Sequence, residues 1–320
     1  MLKAKEFKIL HLDKNHSKLL EELNNYGFNN ELDYTSSREE ILNKIHKYHG
    51  IVLRSRIQID KEFLEKAYQL KFIARVGAGL ENIDTAFAKL KNIELISSPE
   101  GNRNAVGEHA LAMLLNLLNK TTKAHNEIKQ GKWLREENRG YELDGKTVAI
   151  IGYGNTGKAF AKKLKGFNVE VLCNDILSNI ADENAKQVSL QTIQEKADII
   201  SLHTPLTQLT NNFINKEFIK NVKKPFWFIN TARGKCVVTK DIVWALKENK
   251  LLGVALDVIE YEKNSFENLQ DAAQNQELDF ILNSDNVVLT PHIAGWSFES
   301  NTKMAEIISN KVINFFEEKI

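Results

Sequence analysis

The sequence predicts an α/β fold made of two doubly wound parallel-sheet domains with a cleft between them. Three observations predict it. Short apolar runs alternate with polar helical patterns, the alternation comes in two series parted by one long helical stretch, and 320 residues exceed what one hydrophobic core usually organises.

The first series contains "FKILHL", "GIVLRS", "FIARVG" and "IELISS", continuous apolar runs of the kind that parallel strands buried on both faces require. A long helix is then expected from Asn104, a residue suited to an N-cap, with Glu108 near its first turn and Gly131 as its stop. The second series reads "KTVAIIGYG", "VEVLCND", "ADIISLHT", "PFWFINTA", "GVALDV" and "NVVLTP". The final stretch, "NTKMAEIISNKVINFFEEKI", spaces its apolar residues helically and is expected to return to the first domain. The expected division is therefore a discontinuous substrate domain, 1–101 with 296–320, and a cofactor domain, 102–295.

Composition narrows the class of function. Hydrophobic residues make up 42% and charged residues 27%, ordinary for a globular protein, and the net charge of +1 leaves no basic footprint for nucleic acid or a membrane surface. The beginning, "MLKAKEFKILHLDKN", lacks the apolar core of a signal peptide, and "HALAMLLNLL" is too short to span a bilayer, so a cytoplasmic location is expected. Cys173 and Cys236 lie in strand-like segments without metal-ligand spacing and read as small buried apolar side chains; no metal is expected.

Gly152, Gly154 and Gly157 form G-x-G-x-x-G directly after the strand "TVAII" and at the opening of the helix "NTGKAFAKKLKG". In that context the glycines permit a tight turn, close approach of a pyrophosphate and close helix–strand packing, while Asn155 and Thr156 open the helix with N–H groups that favour phosphate. Asp175 ends the next strand about twenty residues on, where a carboxylate accepts from ribose hydroxyls and repels a 2′-phosphate. The cofactor expected is NAD.

Other strand ends carry His203 in "LHTP", Arg233 in "NTARG", Asp257 and Glu262 in "ALDVIEYE", and His292 in "LTPHIAG". Singly, each has an ordinary explanation as a turn residue or a solvated charge. At the ends of consecutive strands after a nucleotide motif, they make a site. Oxidation of a 2-hydroxy acid needs a base for the hydroxyl proton, a partner that stabilises the imidazolium, and a fixed guanidinium for the carboxylate and the reacting oxygen. His292, Glu262 and Arg233 supply that set.

The stretches "RVGAGLENID", "NAVGEHALAMLL", "KTVAIIGYGNTGKAFA", "LHTPLT", "INTARG", "ALDV" with its downstream Glu, and "LTPHIAG" together resemble the D-isomer-specific 2-hydroxyacid dehydrogenases across essentially the whole chain. The resemblance implies a Rossmann cofactor domain and a flavodoxin-like substrate domain. It implies Arg233 as the substrate-orienting arginine, Glu262 as the partner of His292, and His292 as acid/base. It sets Asp257 before the nicotinamide carboxamide and Thr231, Ala232 and Gly295 along the cofactor. His203, Thr204 and Pro205 are implied to border its adenosine half. Ala78 and Gly79 would hold the substrate carboxylate by their N–H groups, with Arg54 and Ser55 near its distal end. Arg54 and Arg56 meet a phosphate in one reading and are exposed turn charges in the other.

The sequence departs from the family pattern at Lys263, usually proline, in a longer polar insertion, "NSFENLQDAAQNQELDFILNSDN", and at Thr156, usually apolar. Glu260 competes with Glu262 for the same role. The expected function is oxidation of D-3-phosphoglycerate, the step toward serine, without a regulatory domain after the last helix. The rivals are hydroxypyruvate or glyoxylate reduction and, outside enzymology, an NADH-sensing corepressor. A homodimer is expected, through the long helix.

Overall fold

A computed structural model describes residues 3–262 and 275–320. The described residues form two compact units: the chain up to Asn102 together with Trp296–Ile320, and Arg103–Gly295.

In the first unit the strands are β1 (Lys8–His11), β2 (Asn29–Leu32), β3 (Gly50–Leu53), β4 (Phe72–Arg75) and β5 (Glu94–Ser97). They pair in the order β2-β1-β3-β4-β5, every pair parallel. Alternation along each strand feeds two apolar layers. Leu10, Ile51, Leu53 and Ile73 face one, while Ile9, Val52, Phe72 and Ala74 face the other. The second layer is closed by Met304, Ala305, Ile308 and Val312 of the helix Phe298–Lys319, so the C-terminal segment does return to this unit.

The second unit holds β6 (Thr147–Ile151), β7 (Glu170–Asn174), β8 (Lys186–Gln187), β9 (Ile199–Leu202), β10 (Phe226–Asn230), β11 (Leu251–Leu256) and β12 (Val287–Leu289). Their order, β12-β11-β10-β9-β6-β7-β8, is again parallel throughout and reverses direction between β6 and β9. Such a reversal opens a crevice at the carboxyl ends of the two strands. Trp227 and Ile229 of β10 pack on one face with Ile150 and Cys173, and Phe226 and Phe228 pack on the other with Ile200 and Cys236. Both cysteines are buried and unbridged, and burial pushes the Cys173 thiol up to about 11.

One expectation about elements fails. The long helix begins at Pro99, stops at Asn119, and a second helix runs Thr121–Lys129. Lys120 between them takes a left-handed φ of 53°, which no α-helix continues through. Asn104 is therefore inside the helix, bonded to Glu108 at 2.8 Å, and caps nothing. Gly131 does adopt a left-handed φ of 77° just beyond the second helix. Among the described residues, no helix is long and apolar enough to cross a membrane. Lys263 and the first part of the polar insertion lie outside the described residues; its remainder forms the helix Gln276–Asn283, capped by the Asn275 side chain.

Candidate functional site

At the end of β6 the three glycines have three separate physical reasons. Gly152 takes φ 89°, and a Cβ there would stand 2.7 Å from the His203 carbonyl. At Gly157 a Cβ would fall 2.2 Å from the Gly152 oxygen, which fixes how closely the helix Asn155–Lys163 leaves the strand. Gly154 differs: among the described residues, a Cβ there would meet nothing within 4 Å. It is the N-cap of that helix and supplies no side-chain cap, so the first N–H groups face that open space. Two hydroxyls at neighbouring strand ends, Thr204 Oγ1 and Thr231 Oγ1, are buried with no hydrogen-bond partner among the described residues. An uncapped helix start, open space above a glycine and orphaned hydroxyls fit a dinucleotide.

Asp175 stands just beyond β7, where Oδ2 accepts from the Tyr153 N–H (2.7 Å) and Oδ1 from the Leu177 N–H (3.1 Å). The residues after it, Ile176 and Leu177, are exposed and apolar. His203, expected to border the cofactor, stands just beyond β9 with its carbonyl against Gly152. Its ring is buried, with Nε2 on Ser201 Oγ (2.8 Å) and Nδ1 on Thr156 Oγ1 (3.3 Å), and burial lowers its pKa to about 3. It therefore ties β9 to the glycine helix, which gives Thr156 a purpose that the usual apolar residue could not serve. Pro205, next to Thr204, is exposed.

Beyond β10 the chain turns through Thr231, Ala232 and Arg233. Asn230, fully buried, governs the turn: its Oδ1 accepts from the Ala232 N–H (3.0 Å) and its Nδ2 donates to the Arg233 carbonyl (3.1 Å). The Arg233 guanidinium donates to the Ala232 carbonyl at 2.7 Å. Gly234 allows close approach to protein, since a Cβ there would stand 1.9 Å from the Ile259 carbonyl. The loops bearing Arg233 and Glu262 thus touch backbone to backbone.

The two acidic candidates separate cleanly. Glu260 accepts from the Thr239 N–H (2.9 Å) and caps the helix Thr239–Lys247. Glu262 accepts from the Ile259 N–H through Oε1 (2.5 Å) and meets His292 Nδ1 through Oε2 (2.8 Å). A carboxylate oxygen only accepts, so Nδ1 carries the hydrogen. His292 itself has φ 55°. A non-glycine residue there costs on the order of 1 kcal/mol, which its surroundings must offset. Its N–H donates to the Asp257 carbonyl (2.8 Å).

Asp257, expected before the nicotinamide carboxamide, turns its carboxylate to the loop that follows β12. It is 2% exposed and commits its carboxylate to the His292 loop: Oδ1 accepts from the Ile293 N–H and Thr290 Oγ1 (2.9 and 2.6 Å), Oδ2 from the Ala294 N–H (2.9 Å). Burial alone would raise its pKa; His109, Thr290 and the two N–H groups hold it below the usual carboxylate value. Gly295 follows, half-buried. Sequence reasoning passed over His109 and Asn230. The signal for Asn230 was an amide at a strand end, directly before Thr-Ala-Arg-Gly.

In the first unit Arg54 and Ser55 follow β3, and Ala78 and Gly79 follow β4, all at the carboxyl edge of the sheet. The Arg54 guanidinium lies 4.0 Å over the Trp296 ring, and the Arg54 backbone N–H donates to Asp13 Oδ2 (2.6 Å). The N–H groups of Ala78 and Gly79 donate to no acceptor among the described residues. Arg56 is neither phosphate ligand nor exposed charge: it donates to the carbonyls of Leu12, Ser36 and Asp33 at 2.7, 2.6 and 2.8 Å. A second guanidinium at that edge comes instead from Arg75, the last residue of β4, whose Nε donates to the Arg54 carbonyl (3.3 Å). Among the described residues, no group of His, Cys, Asp and Glu is arranged to hold a metal ion.

Residues 111–294 match a family model described as the D-isomer specific 2-hydroxyacid dehydrogenase NAD binding domain. The chain is 34% identical over 293 residues to a D-3-phosphoglycerate dehydrogenase of Archaeoglobus fulgidus, which covers 90% of this chain and 53% of that relative, about half its length. It is also 34% identical over 288 residues to a glyoxylate reductase of Pyrococcus furiosus, covering 87% of this chain and 82% of the relative. A solved structure of D-lactate dehydrogenase from Aquifex aeolicus, complexed with NAD and lactic acid, matches with a TM-score of 0.83 at 28% identity, over 97% of this chain and 95% of that one.

Proposed function

We propose that this chain, which belongs to the D-isomer specific 2-hydroxyacid dehydrogenase family and is thereby an oxidoreductase acting on the CH–OH group of a D-2-hydroxy acid with NAD(P), oxidises D-3-phosphoglycerate to 3-phosphohydroxypyruvate with NAD. The observation that carries the chemistry is the Glu262–His292 pair, 2.8 Å apart in the unit that matches the NAD binding domain. With Nδ1 held by Glu262, Nε2 of His292 takes the proton of the substrate hydroxyl and returns it in the reverse direction. The hydride at the same carbon is exchanged with the nicotinamide, which is the chemistry the cofactor supplies when bound. Arg233 orients the substrate carboxylate and polarises the reacting oxygen through its planar fork of donors.

Gly152, Gly154 and Gly157 cradle the pyrophosphate, aided by Asn155 and Thr156; Asp175 takes the ribose and disfavours NADP. Thr204, Pro205, Thr231, Ala232 and Gly295 line the cofactor. Ala78 and Gly79 offer their N–H groups to the substrate carboxylate, and Arg54, Ser55 and Arg75 meet the phosphate. A homodimer is proposed from the exposed apolar side chains Ile128, Trp133, Leu134 and Tyr141 in and just after the helix Thr121–Lys129. Sedimentation velocity at micromolar concentration reads that directly; a monomer there ends the idea.

A second reading, reduction of glyoxylate or hydroxypyruvate, is favoured by the removal of Arg56 from the anion site and by the equal identity to a glyoxylate reductase. The Glu262–His292 pair speaks for turnover over nucleotide sensing. Nicotinamide absorbance decides: NAD is offered with D-3-phosphoglycerate, and NADH with phosphohydroxypyruvate, hydroxypyruvate and glyoxylate. Preference for the phosphorylated pair is expected. Turnover of unphosphorylated acids alone would replace the first reading with the second, and no turnover of any would rule out both.

A further inference from the structure

We infer that His109 is a positioning residue for the reaction, acting through Thr290 and Asp257 on the loop that carries His292. It lies in the helix Pro99–Asn119, remote in sequence from the other members. Its Nε2 stands 3.0 Å from Thr290 Oγ1 and 3.5 Å from Asp257 Oδ1. Thr290 Oγ1 stands 2.6 Å from Asp257 Oδ1.

Donor and acceptor rules order this chain. The Asp257 carboxylate can only accept, so the Thr290 hydroxyl gives its hydrogen to Oδ1. The Thr290 oxygen is then left with lone pairs, and Nε2 of His109 must carry the hydrogen that meets it. With Thr290 fixed, Oδ1 and Oδ2 of Asp257 are aimed at the N–H groups of Ile293 and Ala294 (2.9 Å each), and the Asp257 carbonyl takes the His292 N–H (2.8 Å). Those bonds hold His292 in the left-handed conformation that presents Nδ1 to Glu262.

Removing the outermost donor leaves the Thr290 oxygen unpaired beside a buried carboxylate, a loss worth about tenfold in rate when it falls on the alignment of the acid/base. The inference rests on His292 being the acid/base; inactivity of His292→Ala tests that separately. The experiment is steady-state kinetics of His109→Phe, His109→Gln and Thr290→Val, with the double variant H109F/T290V and NADH binding read by fluorescence. Expected are a kcat about tenfold lower in His109→Phe, unchanged NADH affinity, and recovery to within about threefold in His109→Gln, whose amide can donate. The double variant should be no slower than the slower single one. Equal damage in both His109 variants, or losses that multiply, would overturn the inference. Should His109→Phe fail to fold, Thr290→Val against Thr290→Ser asks the same question from the middle of the chain, with recovery expected only in the serine variant.

Discussion

The two sheets share a plan, parallel and doubly wound, and differ in what stands at their carboxyl edges. Beyond β6, β9, β10, β11 and β12, the second unit presents glycine backbone, orphaned hydroxyls and carboxylates whose oxygens are already engaged by N–H groups. Beyond β3 and β4, the first unit presents Arg54, Arg75 and two N–H groups that donate to nothing among the described residues. Topology provides a place in each. Side-chain charge separates the two: we propose that one takes the nucleotide and performs proton transfer while the other takes an anion.

The sharpest way to break this contrast is His292→Ala. Turnover should fall by at least about a thousandfold with NADH binding retained, as loss of a general acid/base predicts. Surviving turnover, followed by nicotinamide absorbance, would move the acid/base role away from His292. Next comes Arg75→Met, which should raise the KM for D-3-phosphoglycerate about tenfold or more and leave that for glyoxylate within about threefold. Equal effects on both substrates would show that the arginine edge does not read a distal anion. Asp175→Ser is expected to improve NADP use relative to NAD by about tenfold, measured as the ratio of kcat/KM values; an unchanged ratio would take the carboxylate out of cofactor choice.

The smallest effect concerns stability. Burial lowers the pKa of His203 from its ordinary value of 6.5 to about 3. Above pH 6.5 the ring is neutral in both folded and unfolded chains and titration changes nothing. Between 6.5 and 3 the unfolded chain takes the proton and the folded one does not, so acid erodes stability by about 1.4 kcal/mol per pH unit across that window. His203→Gln should flatten the acid side of a urea-unfolding series between pH 6.5 and 4.5, where the folded protein survives, and curves that stay parallel would contradict the linkage.

Strands and the glycine turn were legible because their signals are local: an unbroken apolar run, a glycine spacing, an acid at a strand end. The division of labour between Glu260 and Glu262 was not. Two residues apart in sequence, they part company only because one meets the start of the helix Thr239–Lys247 and the other meets His292. Arg56 and Arg75 teach the same lesson. Arg56 lies beside Arg54 in sequence yet is consumed by three carbonyls, whereas Arg75 reaches Arg54 through the pairing of β3 with β4. The helix start at Pro99 was readable, since proline favours the first helical position, but the break at Lys120 had no sequence signal, a lysine being an unusual choice for a left-handed residue.

Of the three glycines after β6, Gly152 and Gly157 are held by protein backbone and Gly154 faces open space. Drift at the first two is checked by folding itself. At Gly154 no described protein atom stands in the way, so an alanine there is expected to leave the fold intact and to weaken NADH binding. On that expectation, the scaffold outlives its nucleotide site and stays available for other duties.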